Sequence, residues 1–310
     1  MPNVRGDILI KALRLERGFT QEELCEGICS VESLSRIENG GRIPRRWTFE
    51  QLMERLGESP KKYPMNIVTV DDKRMIDAKD RLKDLLRKNN PEARKDAEEL
   101  INKLENDKAF ATTENKQFLL RTKASLALNT KNIPDAHHYA LKALKVTRPS
   151  FDENKIQAYP FTLDEVWSVN QIAIAYLLEG DVERSTDVLL ALKSSVEKGY
   201  IEDVELVNKY ISILYNLSNN LGKLQRHEEC LEICDIGVEL ARKYRNYLHY
   251  PLFLSNKAYN LLHLGRKDEA IIVLERVCAL FWGLERYKEL LEIRGYAERE
   301  FGIKVNNLPI

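Results

Sequence analysis

A short basic segment is the first feature of this sequence that could carry chemistry. Four arginines fall between Arg36 and Arg46 against one acidic residue, Glu38, whereas the chain of 310 residues has 48 Lys or Arg, 48 Asp or Glu and no net charge. Guanidinium groups pair with phosphates and with guanine in the major groove of DNA. We therefore expect a local nucleic-acid site and exclude a protein that coats nucleic acid through its overall charge.

The residues around this segment predict four short helices. Apolar residues recur at helical spacing until Gly18 ends the first helix, and Thr20 with Glu23 forms a capping box that begins the second. Ser30 begins the third helix, VESLSRIE, and the fourth follows Pro44. Two short helices joined by a turn of this length form the helix-turn-helix pattern.

The segment TQEELCEGICSVESLSRIENGGRIP resembles the lambda-repressor/Cro (XRE) type of helix-turn-helix. The matching elements are TQ-x-x-L, a turn, then S-x-x-x-x-SRIE-x-G with a proline shortly after, and they cover roughly residues 5–57. The EGICS turn and the SRIENG end resemble most the peptide-responsive Rgg/PlcR/PrgX regulators. We set the predicted DNA-binding domain at residues 1–58.

The third helix is expected to lie in the major groove with its first turns facing the base edges. Arg36 could read guanine, Glu32 could accept a hydrogen bond from cytosine, and Val31 could contact a thymine methyl group. For Arg36 the alternatives are a phosphate contact or an ion pair with Glu32, one helical turn away. The other predicted DNA contacts are Thr20, Gln21, Ser30, Ser35, Arg42, Arg45 and Arg46.

A linker and a helical repeat domain are predicted after this domain. Pro60 and Pro64 forbid a continuous helix, so we set a linker at residues 59–71 and expect its apolar piece, Met65 to Val70, to pack on the second domain or on a partner chain. From residue 72 to 302 nearly every segment has the pattern of an amphipathic helix, ending in a capping helix at 284–301. Residues 303–310 are predicted to be a C-terminal tail.

Four segments of this domain align at a turn and a following small residue. They are KNIPDA, EGDVERS, LQRHEEC and LGRKDEA, and their small residues are Ala136, Ser185, Cys230 and Ala270, spaced by 49, 45 and 40 residues. Two helices that cross closely need a small side chain at the crossing. The pattern resembles the tetratricopeptide repeat (TPR), with longer helices, degenerate signature positions and no proline after the second helix.

The first helices of these pairs carry asparagines in register. Asn170, Asn216 and Asn256 lie 15, 14 and 14 residues before the small residue of their own repeat. An amide side chain donates and accepts at once, so such a series could hold the backbone of an extended peptide on the concave face of an α-solenoid. Asn on a solvated helix face is the alternative. The other predicted peptide contacts are Trp167, Tyr215, Asn219, Tyr259, Asn260 and His263.

Together the two halves predict an all-α regulator: a lambda-repressor-like helix-turn-helix domain followed by a TPR-like α-solenoid. This combination resembles the Rgg/Rap/NprR/PlcR/PrgX (RRNPP) family, which implies promoter DNA, a short signalling peptide and a second copy of the chain as partners. The alternative is a repressor of a phage or mobile element whose repeats bind a protein. A phosphatase of the Rap type is disfavoured, because those proteins lack the helix-turn-helix.

Other functional classes find no support in the sequence. Nucleotide-binding, zinc-protease and hydrolase motifs are absent, so we expect no enzyme, cofactor or metal. Cys230 and Cys234 fall on buried repeat positions and are expected to pack in the core. The five cysteines, the lack of a long apolar run and the lack of a signal peptide predict a cytoplasmic protein that does not enter the membrane.

Overall fold

The computed structural model describes residues 6–58, 60, 70–198 and 204–305, and these residues form helices and turns with no strand among them. This part of the chain is therefore all-α, as the sequence predicts. The chain divides into two compact units: residues 1–181 with 194–203, and residues 182–193 with 204–310. None of the helices in the described ranges combines the length and the apolar composition that crossing a bilayer requires.

The first unit begins with four short helices that pack around one apolar core. They are α1 (Gly6–Glu16), α2 (Gln21–Cys25), α3 (Val31–Glu38) and α4 (Arg46–Arg55). Thr20 and Glu23 form the predicted capping box at the start of α2. Ser30 caps α3, because its hydroxyl accepts a hydrogen bond from the Ser33 amide at 3.2 Å. The buried core includes Ile10, Leu24, Leu34, Ile37, Leu52 and Met53.

Five longer helices follow in the first unit. They are α5 (Val70–Lys88), α6 (Pro91–Glu105), α7 (Thr113–Asn129), α8 (Ile133–Thr147) and α9 (Leu163–Glu179). Asn90, Thr112 and Asn132 cap α6, α7 and α8 with their side-chain oxygens. Helix α5 begins at Val70, so its first two residues fall within the linker predicted at 59–71. Most of the linker and most of the segment Met65 to Val70 lie outside the described residues.

The second unit consists of consecutive helices that each pack on the next. After α10 (Val182–Lys198), which the two units share, they are α11 (Val204–Lys223), α12 (His227–Lys243), α13 (Tyr250–His263), α14 (Lys267–Gly283) and α15 (Tyr287–Phe301). The predicted capping helix is α15. It is capped by Gly302, whose φ of +69° is the left-handed conformation that glycine adopts without strain.

The small residues of the four aligned segments are all buried, which confirms their predicted packing role. At most 1% of their surface is exposed in Ala136, Ser185, Cys230 and Ala270. A left-handed residue lies in the turn before each of them, and these residues are Lys131, Gly180, Gln225 and Gly265. The turn and the small residue therefore recur together, as the alignment predicts.

The first residues of the predicted tail at 303–310 pack on the second unit. Ile303 and Val305 pack against the core of the second unit, and Val305 is only 7% exposed. Burial of these apolar side chains fixes the chain directly after Gly302. Residues 306–310 lie outside the described part of the chain.

Candidate DNA interface and peptide-binding helices

The outer face of α3 presents the residues predicted to read bases. Leu34 and Ile37 are buried in the domain core at 0% and 1% exposure, whereas Val31 is exposed. The side chains of Glu32 and Arg36 are 75% and 65% exposed, and their charged atoms lie 2.7 Å apart. An exposed i,i+4 ion pair contributes only about 0.3–0.5 kcal/mol, so this one can open when a stronger partner approaches Arg36.

Two further arginines are held at the edges of this face. Arg42 donates from Nη1 to the hydroxyl of Ser33 at 3.1 Å, and Ser33 also accepts from Ser30 at 2.9 Å. Arg46 pairs with Glu50 at 2.8 Å. The predicted set thus splits by exposure: the exposed members are Thr20, Ser30, Val31, Glu32, Arg36, Arg42, Arg45 and Arg46, and the half-buried ones are Gln21 and Ser35. Ser33 was not among the predicted residues.

Glu38 does not neutralise the basic segment, because it is committed to the interior. Arg14 donates to it from Nε at 2.6 Å and from Nη2 at 2.8 Å, and Gln21 donates at 2.7 Å. Burial raises the pKa of the Glu38 carboxyl, but these donors more than offset burial and hold the pKa below its usual range. Gln21, predicted as a phosphate contact, therefore has its amide nitrogen engaged in tying α2 to α3.

In the first unit, α9 carries two of the predicted peptide contacts. Trp167 is half-buried, but Asn170 is only 2% exposed. Its neighbour Gln171 is also buried and donates to the Arg121 carbonyl at 3.0 Å and to the Ser125 hydroxyl at 2.7 Å. Asn170 is therefore buried in the packing of its own unit, whereas Asn216 and Asn256 are half-buried.

In the second unit, Asn256 and Asn219 form a hydrogen-bonded amide pair. Nδ2 of Asn256 donates to Oδ1 of Asn219 and to the hydroxyl of Ser218, both at 2.8 Å. Within the described residues no hydrogen-bond partner reaches the Asn256 Oδ1 atom or the Asn219 Nδ2 atom. Both side chains are half-buried, as are Asn216 and Tyr215 on the same helix α11. The pair therefore offers one unused acceptor and one unused donor.

Asn260, also predicted as a peptide contact, is buried and has its side chain engaged within the unit. It is 1% exposed, donates to the Cys230 sulfur at 3.1 Å and accepts from His227 Nδ1 at 2.7 Å. Asn220 holds the equivalent place, donating to the Ser185 hydroxyl at 2.8 Å. Both lie ten residues before the small residue of their own repeat, so a second register in the sequence marks the inward-facing asparagines.

A cleft of about 230 Å³ lies beside the amide pair. The rings of Tyr259 and Tyr296 stack along it with centroids 5.2 Å apart, and exposed His263 hydrogen-bonds the Tyr296 hydroxyl at 2.9 Å. Burial and the neighbouring Tyr259 hydroxyl raise the pKa of Tyr296, which stays neutral. The lining residues are Ser255, Asn256, Tyr259, Leu262, Leu274, Glu292, Ile293 and Tyr296. Sequence reasoning missed the contribution of α15, because its helix was assigned only a capping role.

Part of the sequence matches a known protein family. The family HTH_3, described as helix-turn-helix, matches residues 10–62. Residues 10–62 are a helix-turn-helix domain. No curated protein matches the sequence.

Solved structures match nearly the whole chain. Apo PlcR of Bacillus thuringiensis is 18% identical with a TM-score of 0.59, over 93% of this chain and 97% of PlcR. PlcR in complex with the peptide PapR7 and DNA is 21% identical with a TM-score of 0.55, over 95% and 98%. The pheromone receptor Rgg2 of Streptococcus dysgalactiae is 11% identical with a TM-score of 0.50, over 95% and 99%. At these identities the chain shares a fold with PlcR and Rgg2.

Proposed function

We propose that this chain is a cytoplasmic transcription regulator that binds promoter DNA through α3 as a homodimer and is controlled by a short peptide. The Asn219–Asn256 pair beside the cleft carries the peptide part of the proposal. The exposed face of α3, flanked by arginines, supports the DNA part. The fold shared with PlcR, which has been solved with a peptide and DNA, agrees with both.

The DNA part rests on a division of labour among the basic residues. Arg36 points outward from α3 and can reach the acceptors of guanine once the weak Glu32 pair opens. Arg42 and Arg45 lie exposed after α3. There they can contact the DNA phosphates that line the groove entered by α3. One domain of this size gives limited affinity, so two copies on two half-sites about 34–36 Å apart supply the remainder.

The peptide part rests on complementarity between amides. An extended peptide group carries one N–H donor and one C=O acceptor. The Asn256 Oδ1 and Asn219 Nδ2 atoms offer the matching acceptor and donor, already oriented by the hydrogen bond within the pair. The apolar floor of the cleft next to them, formed by Leu262, Leu274 and Ile293, can take a side chain of the same peptide. Asn170 and Asn216 remain predicted contacts.

Selection of operators from random duplexes by the full-length protein tests the DNA part. Arg36→Ala is expected to relax preference at one or two base pairs by about 5- to 150-fold, which corresponds to about 1–3 kcal/mol. Arg45→Ala is expected to weaken all sequences alike and to flatten the salt dependence. Arg266→Ala is the control, because Arg266 is an exposed arginine paired with Glu269 in the other unit. An unchanged preference in Arg36→Ala contradicts its role in base reading.

Calorimetry with peptides of about 5–10 residues selected on the full-length protein tests the peptide part. Asn219→Ala or Asn256→Ala leaves a peptide group unpaired and is expected to weaken binding by about 5- to 150-fold. Asn208→Ala is the matched control, since Asn208 accepts from Asn246 at 2.9 Å in a second amide pair of the same unit. Equal weakening in all three variants means that the amide pair supports the fold and does not bind the peptide.

A further inference from the structure

The last residue of α4 joins the DNA-binding helices to the repeat helices within the first unit. The Arg55 side chain is wholly buried, and its Nη2 atom lies 2.9 Å from Oε1 of Glu165, which is equally buried in α9. The Nη1 atom donates to the carbonyls of Leu24 and Glu26, at 3.1 and 2.6 Å. Nη2 also donates to the Thr147 carbonyl at 3.1 Å. One side chain thus satisfies acceptors on both sides of the boundary.

Glu165 also accepts hydrogen bonds from groups of the repeat helices. Its carboxylate accepts from the Thr147 hydroxyl at 2.8 Å, from Arg148 at 3.4 Å and from the Thr162 amide that begins α9, at 2.9 Å. Burial raises the pKa of the Glu165 carboxyl, but the two guanidinium groups more than offset it, so the pKa lies below its usual range. Arg55 therefore faces a carboxylate that is charged and held in place.

The backbones also meet closely at this boundary. Gly27, in the turn between α2 and α3, has φ +70°, and a Cβ added there would lie 2.0 Å from the Thr147 carbonyl oxygen. Glu54 accepts from the Leu163 amide at 2.9 Å, and Glu26 accepts from the amide of Ser150 at 3.3 Å. Only glycine fits this approach, so the contact surface is shaped for one arrangement.

We propose that Arg55 and Glu165 are positioning residues of a joint that fixes the orientation of α3 relative to α9. The joint leaves the face of α3 that carries Arg36 exposed, so it holds the reading helix without covering it. Helix α9 also carries Trp167 and Asn170, within five residues of Glu165. In a regulator of the proposed kind, which this inference assumes, a ligand that shifts α9 therefore shifts the DNA-binding helices with it.

The chemistry makes the joint all-or-none. A buried charge that loses its partner is strongly disfavoured, so the two sides do not slide past each other by small steps. Arg55 and Arg148 face Glu165 and Glu26, and the charges balance only in the joined arrangement. A movement of α9 has two outcomes: the DNA-binding helices follow as one body, or the joint opens.

Hydrogen exchange on the full-length protein tests the joint without DNA or peptide. Gly27→Ala and Glu165→Gln are expected to raise amide exchange at residues 147–150 and 163–166 by about 100-fold or more, while the core around Leu34 and Leu52 stays protected. Gly18→Ala is the matched control, because Gly18 has φ +74° in the same domain but nothing within 4 Å of an added Cβ. Equal exchange in Gly27→Ala and Gly18→Ala overturns the joint.

Operator selection then distinguishes a role of Arg55 and Glu165 in orienting α3 from a role in stability alone. Variants with an open joint are expected to keep the half-site sequence that Arg36 reads and to accept a wider range of half-site spacings. A mere stability contact lowers affinity and leaves the preferred spacing unchanged, and that result overturns the positioning role. If exchange responds as expected but no operator is selected by the parent protein, the joint stands and the proposed function fails.

Discussion

Gly237 is the position where one added methyl group tests the packing of the second unit. It lies inside α12, and a Cβ there would fall 2.3 Å from Cε1 and 2.4 Å from Cζ of Phe253. Phe253 is fully buried and meets Tyr215 edge-on, with ring centroids 5.9 Å apart. Gly237→Ala therefore requires the Phe253 ring to move by about 1 Å, since carbon atoms in contact prefer about 3.5–4.0 Å.

The expected change in the free energy of unfolding is the difference between two effects. Overpacking of a filled core costs about 1–3 kcal/mol, and this overlap belongs at the upper end, because the ring is held by Tyr215 and cannot swing away. Replacing Gly by Ala inside a helix returns about 1 kcal/mol. We expect a net loss of about 2 kcal/mol in the free energy of unfolding, and a fall of about 8 °C in the melting temperature of this unit.

Differential scanning calorimetry of the full-length protein measures this loss, with Gly283→Ala as the control. Gly283 ends α14, and an added Cβ there meets nothing within 4 Å. The control is expected to melt at or slightly above the parent temperature. If Gly237→Ala and Gly283→Ala have the same melting temperature, the Phe253 ring does not lie against Gly237, and the packing that supports Tyr215 is misassigned.

Two further predictions concern titration and thiol chemistry. Glu38 and Glu165 have pKa values below their usual range, so the unfolded chain binds more protons and their contribution to stability is complete above about pH 4.3 and lost as pH falls through their folded values. The free energy of unfolding, measured by urea titration followed by circular dichroism, is expected to fall more steeply below about pH 4.3 in the parent than in Glu165→Gln, which lacks this carboxyl, and parallel pH profiles in the two proteins contradict this. Burial raises the pKa of Cys29 and of Cys278 to about 11, so we expect iodoacetamide at pH 8 to modify each about 100-fold more slowly than an exposed thiol, with mass spectrometry reading the rates before and after urea.

The local elements were predictable from the sequence because their causes are local. The Thr20 box, the Ser30 cap and the small residue of each aligned segment act through neighbours a few positions away, and the structure confirms them. How deeply a given side chain is buried within a helix pair was less predictable. Asn256 and Asn260 lie one turn apart on α13, yet only Asn260 is buried, because depth depends on where the next helix crosses.

The joint at Arg55 lay beyond sequence reasoning altogether. An arginine in the last turn of a helix is what the helix dipole favours on an exposed surface, so its type gave no sign of burial. Its partner, Glu165, lies 110 residues away and reads locally as the third residue of a capping box. The only local hint is Gly27, whose left-handed conformation marks the turn without showing what lies against it.

In the proposed function, the Asn219–Asn256 pair has a consequence for how the preference for a signalling peptide can change among related chains. A pair that binds the peptide backbone is indifferent to the side chains of the signal, so it can be retained while the signal changes. Discrimination then falls to the cleft, where Leu262, Leu274 and Ile293 form an apolar surface. A few substitutions there would change which peptide is preferred. Duplicated genes could then diverge in peptide selectivity while both products still bind peptides.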